Sequence, residues 1–98
     1  MGRGYVYIVT NHYNNVLYTG VTSDLERRIY EHKKGEGCDF TKKYKCDRLV
    51  YFDETDDISI AIEYEKKIKA GSREKKIQLI EEQNPDWLDL AQDWFDIS

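Results

Sequence analysis

The 98-residue chain has no Pro-, Gly- or Ser-rich linker, and its apolar runs are far shorter than the roughly 20 residues of a membrane span. One domain over residues 1–98, cytoplasmic and free of membrane, is expected. Two cysteines, Cys38 and Cys46, match no zinc spacing and are too few for a disulfide framework, so ordinary thiols in a reducing compartment are predicted. The net charge of −4 argues against a simple nucleic-acid coat, but residues 1–50 hold nine Lys or Arg against six Asp or Glu, and the acidity gathers after position 81.

Residues 5–9, YVYIV, and 16–21, VLYTGV, are β-branched and aromatic and flank the Asn-rich NHYNN, which predicts a β-hairpin. With Tyr7 set opposite Tyr18, Val9 faces Val16 and Tyr5 faces Gly20, leaving an even-length loop. Both tyrosines then share one face, and Val6, Ile8, Leu17 and Val21 make the other, more aliphatic one. Ser23 and Glu26 form a capping-box pattern, so a helix is predicted from Asp24 to about Lys34, ended by Gly35 and Gly37. Its apolar stripe is Leu25 and Ile29. At roughly 100° per residue, Arg28 and His32 border that stripe and Arg27 lies nearly opposite.

Residues 48–52, RLVYF, predict a third strand, closed by an acidic turn from Asp53 to Asp57. Helical spacing of Ile58, Ala61, Ile62 and Ile68 predicts a helix over 58–70 capped at Gly71, with Glu65 inside the stripe and Glu63 on the far side. Ser72 caps another helix running through Glu82, which stops before Asn84-Pro85. Trp87, Leu90, Ala91 and Trp94 suggest a short packed tail helix.

Four polar residues thus occupy places where packing favours apolar ones: Tyr18 in a strand, Arg28 and His32 beside one helical stripe, and Glu65 inside another. Singly, each has a structural explanation; a strand tyrosine and an inward histidine are ordinary core groups, and an inward Arg and Glu can simply pair. Together they suit phosphodiester cleavage. A carboxylate can hold a divalent cation, an arginine can brace phosphate oxygens, and phenols or imidazole can move protons. A tyrosine base needs help, because lowering its pKa from about 10 to about 7 takes roughly 4 kcal/mol of preferential phenolate stabilisation.

These residues carry a resemblance to the GIY-YIG endonucleases. Tyr5-Val6-Tyr7 stands for the first motif, with Tyr5 where the name has glycine, and Tyr18-Thr19-Gly20 for the second. The stretch from Gly20 to Arg28, followed by His32, resembles the family's arginine helix. Glu65, in Tyr64-Glu65-Lys66-Lys67-Ile68-Lys69, corresponds to its metal-binding glutamate. Asn84 is the nearest counterpart of the family's late asparagine, and residues 75–80 and 84–87 are similar to the small single-domain bacterial branch.

The resemblance implies an α+β fold, a small three-stranded antiparallel sheet flanked by helices, and hydrolysis of DNA with a divalent ion such as Mg²⁺ held by Glu65. Tyr7 and Tyr18 would position or deprotonate the attacking water, with Arg28 stabilising the pentavalent phosphate and His32 assisting proton transfer. Lys33, Lys34, Lys42, Lys43 and Lys45 are candidate phosphate contacts. The small branch lacks an added targeting domain, so a protein partner could deliver the substrate. The alternative is a catalytically weak nucleic-acid-binding domain on the same fold.

Overall fold

The structure, a computed structural model, describes residues 2–95. Three strands, β1 (Gly4–Thr10), β2 (Leu17–Thr22) and β3 (Arg48–Thr55), form one antiparallel sheet in the order β2-β1-β3. Helices α1 (Leu25–Lys33), α2 (Asp39–Tyr44), α3 (Ile58–Ala70) and α4 (Arg73–Gln83) flank it, giving the expected α+β architecture. Because β1 is central, its side chains are walled on both faces, and Val6, Tyr7, Ile8 and Val9 are all but fully buried.

Strand alternation sorts these residues into two cores. Val6 and Ile8 join Val50, Tyr51, Ala61, Ile68 and Ile80 beneath α3 and α4, with Leu17 and Val21 packed alongside, as the sequence pattern predicts. Tyr7 and Val9 join Leu25, Ile29, Cys46 and Leu49 on the opposite face, where Tyr18 packs at the margin.

The hairpin register departs from expectation by two residues. Tyr7 pairs with Gly20 and Val9 with Tyr18, so both tyrosines keep a common face without standing opposite one another. Two contacts account for the shift. An added Cβ at Gly20 would lie 2.3 Å from the Tyr7 hydroxyl, so only glycine leaves room there for the tyrosine side chain. At the loop, the Asn11 side chain accepts from the amides of Asn15 and Val16 and donates to Asn15, holding the turn over residues 11–16.

Other boundaries also move. Asp24, not Ser23, caps α1, its carboxylate accepting from the Arg27 amide, and Gly35 at φ 76° turns the chain out of the helix. Strand β3 runs through Asp53 and Glu54 to Thr55, because their backbone pairs with β1 while their side chains stay exposed. Helix α2 falls where no helix was expected, set by a capping box between Cys38 and Thr41. Ile62, placed in the α3 stripe by its spacing, is 39% exposed. The predicted tail helix is absent among the described residues. Residues 89–94 are a succession of turns, and Trp87 has φ 55°, which interrupts helical winding before the segment packs its Leu90, Ala91 and Trp94 against the Tyr7 face.

Candidate active site

The Tyr7 side chain rises from the central strand into a polar pocket under α1. Its hydroxyl lies 2.8 Å from His32 Nε2 and accepts a longer hydrogen bond, 3.4 Å, from Arg28 Nε. Arg28 also donates to Glu31 at 3.1 Å, which orients the guanidinium toward the phenol. Both α1 residues lie beside the Leu25 and Ile29 stripe as their spacing predicts. Arg27, 73% exposed at its side chain, points away.

His32 is held from its other nitrogen by Thr41 on α2, with Nδ1 3.1 Å from the hydroxyl. Thr41 has one hydroxyl proton. Spent on the Cys38 carbonyl, 3.2 Å away, it leaves Thr41 Oγ1 to accept from His32 Nδ1–H and Nε2 to accept from the Tyr7 hydroxyl. An added Cβ at Gly37 would lie 2.1 Å from Nδ1, so the loop into α2 packs on the imidazole only because residue 37 is glycine. Thr41 escaped the sequence reading, and Gly37 was read only as ending α1. The signal was there in Cys38-x-x-Thr41, a capping pattern whose helix carries Phe40 and Tyr44 at i,i+4 spacing.

Burial sets the protonation states. It pushes Tyr7 up to about 12, against the lowering effect of Arg28, and it lowers His32 to about 4, with the Arg28 charge adding in the same direction. At neutral pH the pair is therefore phenol and neutral imidazole. Tyr18, half-buried, is also raised by burial. Its ring contacts His32 at a 6.0 Å centroid separation and Phe40 at 5.8 Å.

Glu65 reaches this neighbourhood from the opposite layer. Its carboxylate is largely buried and bonded to Lys69 Nζ at 2.8 Å, and that ammonium lies 5.8 Å from the centre of the Tyr18 ring. Since β2 is an edge strand, Lys69 meets Tyr18 past that edge, although α3 packs on the aliphatic face. Glu63 is exposed. Lys69, a neighbour of both Glu65 and Tyr18, was not singled out from sequence.

Among the described residues no three His, Cys, Asp or Glu side chains cluster as metal ligands, so Glu65 sits in no ready-made multi-carboxylate cage. That donor set fits a magnesium-like ion, which keeps most of its waters and takes one or two carboxylates together with substrate phosphates. A cleft of about 500 Å³ between Tyr5, Leu25, Phe52 and Trp94 contains none of these residues. Asp24 and Glu26 on its lining disfavour phosphate.

The candidate lysines divide. Lys34, Lys42, Lys43 and Lys45 are exposed without ion pairs among the described residues. Lys33 instead pairs with Asp89 at 2.5 Å and bonds the Asp47 carbonyl, tying the tail to α1. Asn84 is likewise buried and structural in its contacts. Its amide donates to the carbonyls of Val50 and Leu88 and accepts from the Leu88 amide, clamping the chain after α4 to β3.

The sequence signature described as the GIY-YIG catalytic domain matches residues 3–78, a span holding Tyr7, Tyr18, Arg28, His32 and Glu65. The chain belongs to the GIY-YIG family. Within this nuclease family it is 47% identical over 78 residues to a UPF0213 protein of Haloquadratum walsbyi, covering 80% of this chain and 86% of that one. A UPF0213 protein of Staphylococcus saprophyticus is 42% identical, over 84% and 99% of the two chains. The solution NMR structure of a UPF0213 protein from Bacillus halodurans superposes with a TM-score of 0.57 at 30% identity, over 93% and 97% of the two chains. GIY-YIG membership and small size agree with the expectation drawn from the motifs.

Proposed function

We propose that this GIY-YIG domain is a metal-dependent endonuclease that hydrolyses phosphodiester bonds in DNA and acts in repair or in processing branched or damaged DNA. The observation that carries the reading is the Tyr7 hydroxyl held between Arg28 and His32, whose other ring nitrogen is hydrogen-bonded to Thr41. A structural tyrosine needs one hydrogen-bond partner; this one has a cation on one side and a proton acceptor on the other.

Burial pushes Tyr7 up to about 12, so before substrate arrives its hydroxyl rests as a phenol and its proton must be passed on for it to act as a base. A relay meets the difficulty. The Tyr7 oxygen takes a proton from the attacking water as its own passes to His32 Nε2. The water oxygen bonds to phosphorus as the P–O bond to one sugar oxygen breaks, that oxygen takes a proton from solvent, and Arg28 braces the phosphate oxygens as negative charge develops. The incoming phosphate offsets the Arg28 charge that disfavours imidazolium. Tyr18 orients the reacting group, and Glu65 would hold the divalent ion, such as Mg²⁺, which would supply charge neutralisation at the phosphate.

Labelled duplex, branched and single-stranded DNA, with RNA counterparts, test this with and without magnesium. Glu65→Gln preserves size and removes the charge, so it should abolish magnesium-dependent cleavage while sparing fold and binding. Glu63→Gln is the matched control and should cleave like the parent. Equal activity of the two variants would make Glu65 a structural partner of Lys69. A parent that binds DNA without cutting it would instead be a nucleic-acid-binding domain on this fold.

A further inference from the structure

Residues 66–76 hold Lys66, Lys67, Lys69, Arg73, Lys75 and Lys76 against Glu74 alone, a net of +5, whereas the rest of the chain carries nine basic and eighteen acidic residues, a net of −9. A charge of that sign and size within eleven residues makes a local field opposite to the net charge of the rest of the chain. The segment spans the end of α3, the turn at Gly71 and Ser72, and the first turn of α4.

Not all of its charge is free. Lys69 pairs with Glu65, Lys76 Nζ donates to the Gly71 carbonyl, and Arg73 donates to the Asn15 carbonyl in the hairpin loop. Lys66, Lys67 and Lys75 are exposed and make no ion pair among the described residues. Lys67 and Lys75 line a groove of about 220 Å³ between α3 and α4, with Tyr64, Ile68 and Leu79 among its lining. The turn itself is ordered by its own contacts, the Ser72 hydroxyl accepting from the Lys75 amide and the Gly71 amide donating to Ile68. Ammonium groups on such a scaffold lose little further backbone freedom on binding.

Position decides what this patch serves. Lys69, one turn beyond Glu65, has its ammonium against Tyr18, and that ring also neighbours Phe40 on α2, the helix carrying Lys42 and Lys43. Tyr18, a candidate site residue, thus touches both lysine-bearing elements, α3 and α2.

We infer that the α3–α4 turn, through Lys67 and Lys75 above all, is a second phosphate-binding surface that grips the backbone of duplex DNA beyond the cut site. This rests on the nuclease reading above. Contacts of this kind address phosphates alone and are indifferent to base sequence.

Anisotropy of a fluorescein-labelled DNA duplex in EDTA, over a series of KCl concentrations, tests it. Lys67→Gln combined with Lys75→Gln should weaken binding on the order of tenfold at 0.1 M salt and flatten the log–log salt slope by about 1.8, the loss of two phosphate contacts. The double Arg variant should restore both, and thermal melting should show all three proteins equally folded. An unchanged affinity and slope in the Gln variant, or a parent that fails to bind the duplex, overturns the surface. Magnesium-dependent cleavage separates the two readings. A parent that cleaves while the Gln variant binds normally removes the surface and keeps the nuclease. A parent that binds with the expected slope losses but never cleaves removes the nuclease and keeps the surface.

Discussion

The two faces of the sheet solve the same burial problem with different chemistry. Beneath α3 and α4, Val6, Ile8, Val50 and Ile80 are fully buried hydrocarbon. Across the sheet, Tyr7 and His32 are almost as deeply buried, yet they are polar, and no buried side-chain N or O atom among the described residues lacks a partner. Satisfying hydrogen bonds does not restore full hydration, and the residual deficit appears as displaced pKa values, Tyr7 upward and His32 downward. One face stores stability; the other spends some of it on holding a phenol and an imidazole ready for proton transfer.

That contrast breaks most visibly in the hydrocarbon face. Ile8→Ala leaves a void in a site with no exposure and should destabilise the domain by about 2–5 kcal/mol in urea unfolding, while the folded fraction keeps parental cleavage. A comparable loss of cleavage per folded molecule would mean that the two faces are not separable. On the polar face the expectation inverts. Arg28→Ala should lower kcat by about 10²–10³-fold, the scale for removing one donor to developing charge, with a modest change in melting temperature. A parental rate would leave Arg28 as a mere companion of Glu31 and Tyr7.

The pH dependence of stability sharpens the same comparison. His32 has its folded pKa near 4 against an ordinary 6.5, so between those values the unfolded chain binds more protons than the folded one. The stability held above pH 6.5 is therefore lost as pH falls toward 4, with a slope of up to about 1.4 kcal/mol per pH unit. His32→Gln can keep a bond to Tyr7 or Thr41 but cannot titrate, and should flatten this part of the profile in denaturation series at successive pH values. An unchanged profile would assign the acid sensitivity to other groups.

What was legible from sequence follows the range of the forces involved. Period-two alternation placed Val6 and Ile8 opposite Tyr7, and period-3.6 spacing turned Arg28, His32 and Glu65 inward, because each pattern lies within one element. The register of β1 on β2 was not legible. It depends on whether the Tyr7 side chain can cross residue 20, a contact between strands that fixes glycine there. Helix α2 was missed although its cap, Cys38 with Thr41, is local, because its lysines were read only for charge. The tail was misread the other way. Trp87, Leu90, Ala91 and Trp94 have plausible helical spacing, but Asn84, Asp89 and Lys33 hold that segment by polar clamps that make it turn instead.

The smallest expected effect is also the control for the largest catalytic one. Arg27 and Arg28 are adjacent, equally charged and both near Glu31, so composition and net charge cannot distinguish them. Geometry does: the Arg27 pair is 3.8 Å long on a side chain 73% exposed, whereas Arg28 is drawn under α1 onto the Tyr7 hydroxyl. An exposed i,i+4 pair contributes about 0.3–0.5 kcal/mol at most, and salt screens it. Arg27→Ala should therefore shift the unfolding midpoint barely above error and leave kcat near the parental value. Each substitution removes one positive charge from the same helix, so any loss arising from long-range attraction of DNA appears equally in both and vanishes at high salt. The part unique to Arg28→Ala, persisting at saturating DNA, measures its contact with the reacting phosphate. Equal losses in the two variants at every salt concentration would reduce α1 to a charged wall and remove Arg28 from the chemistry.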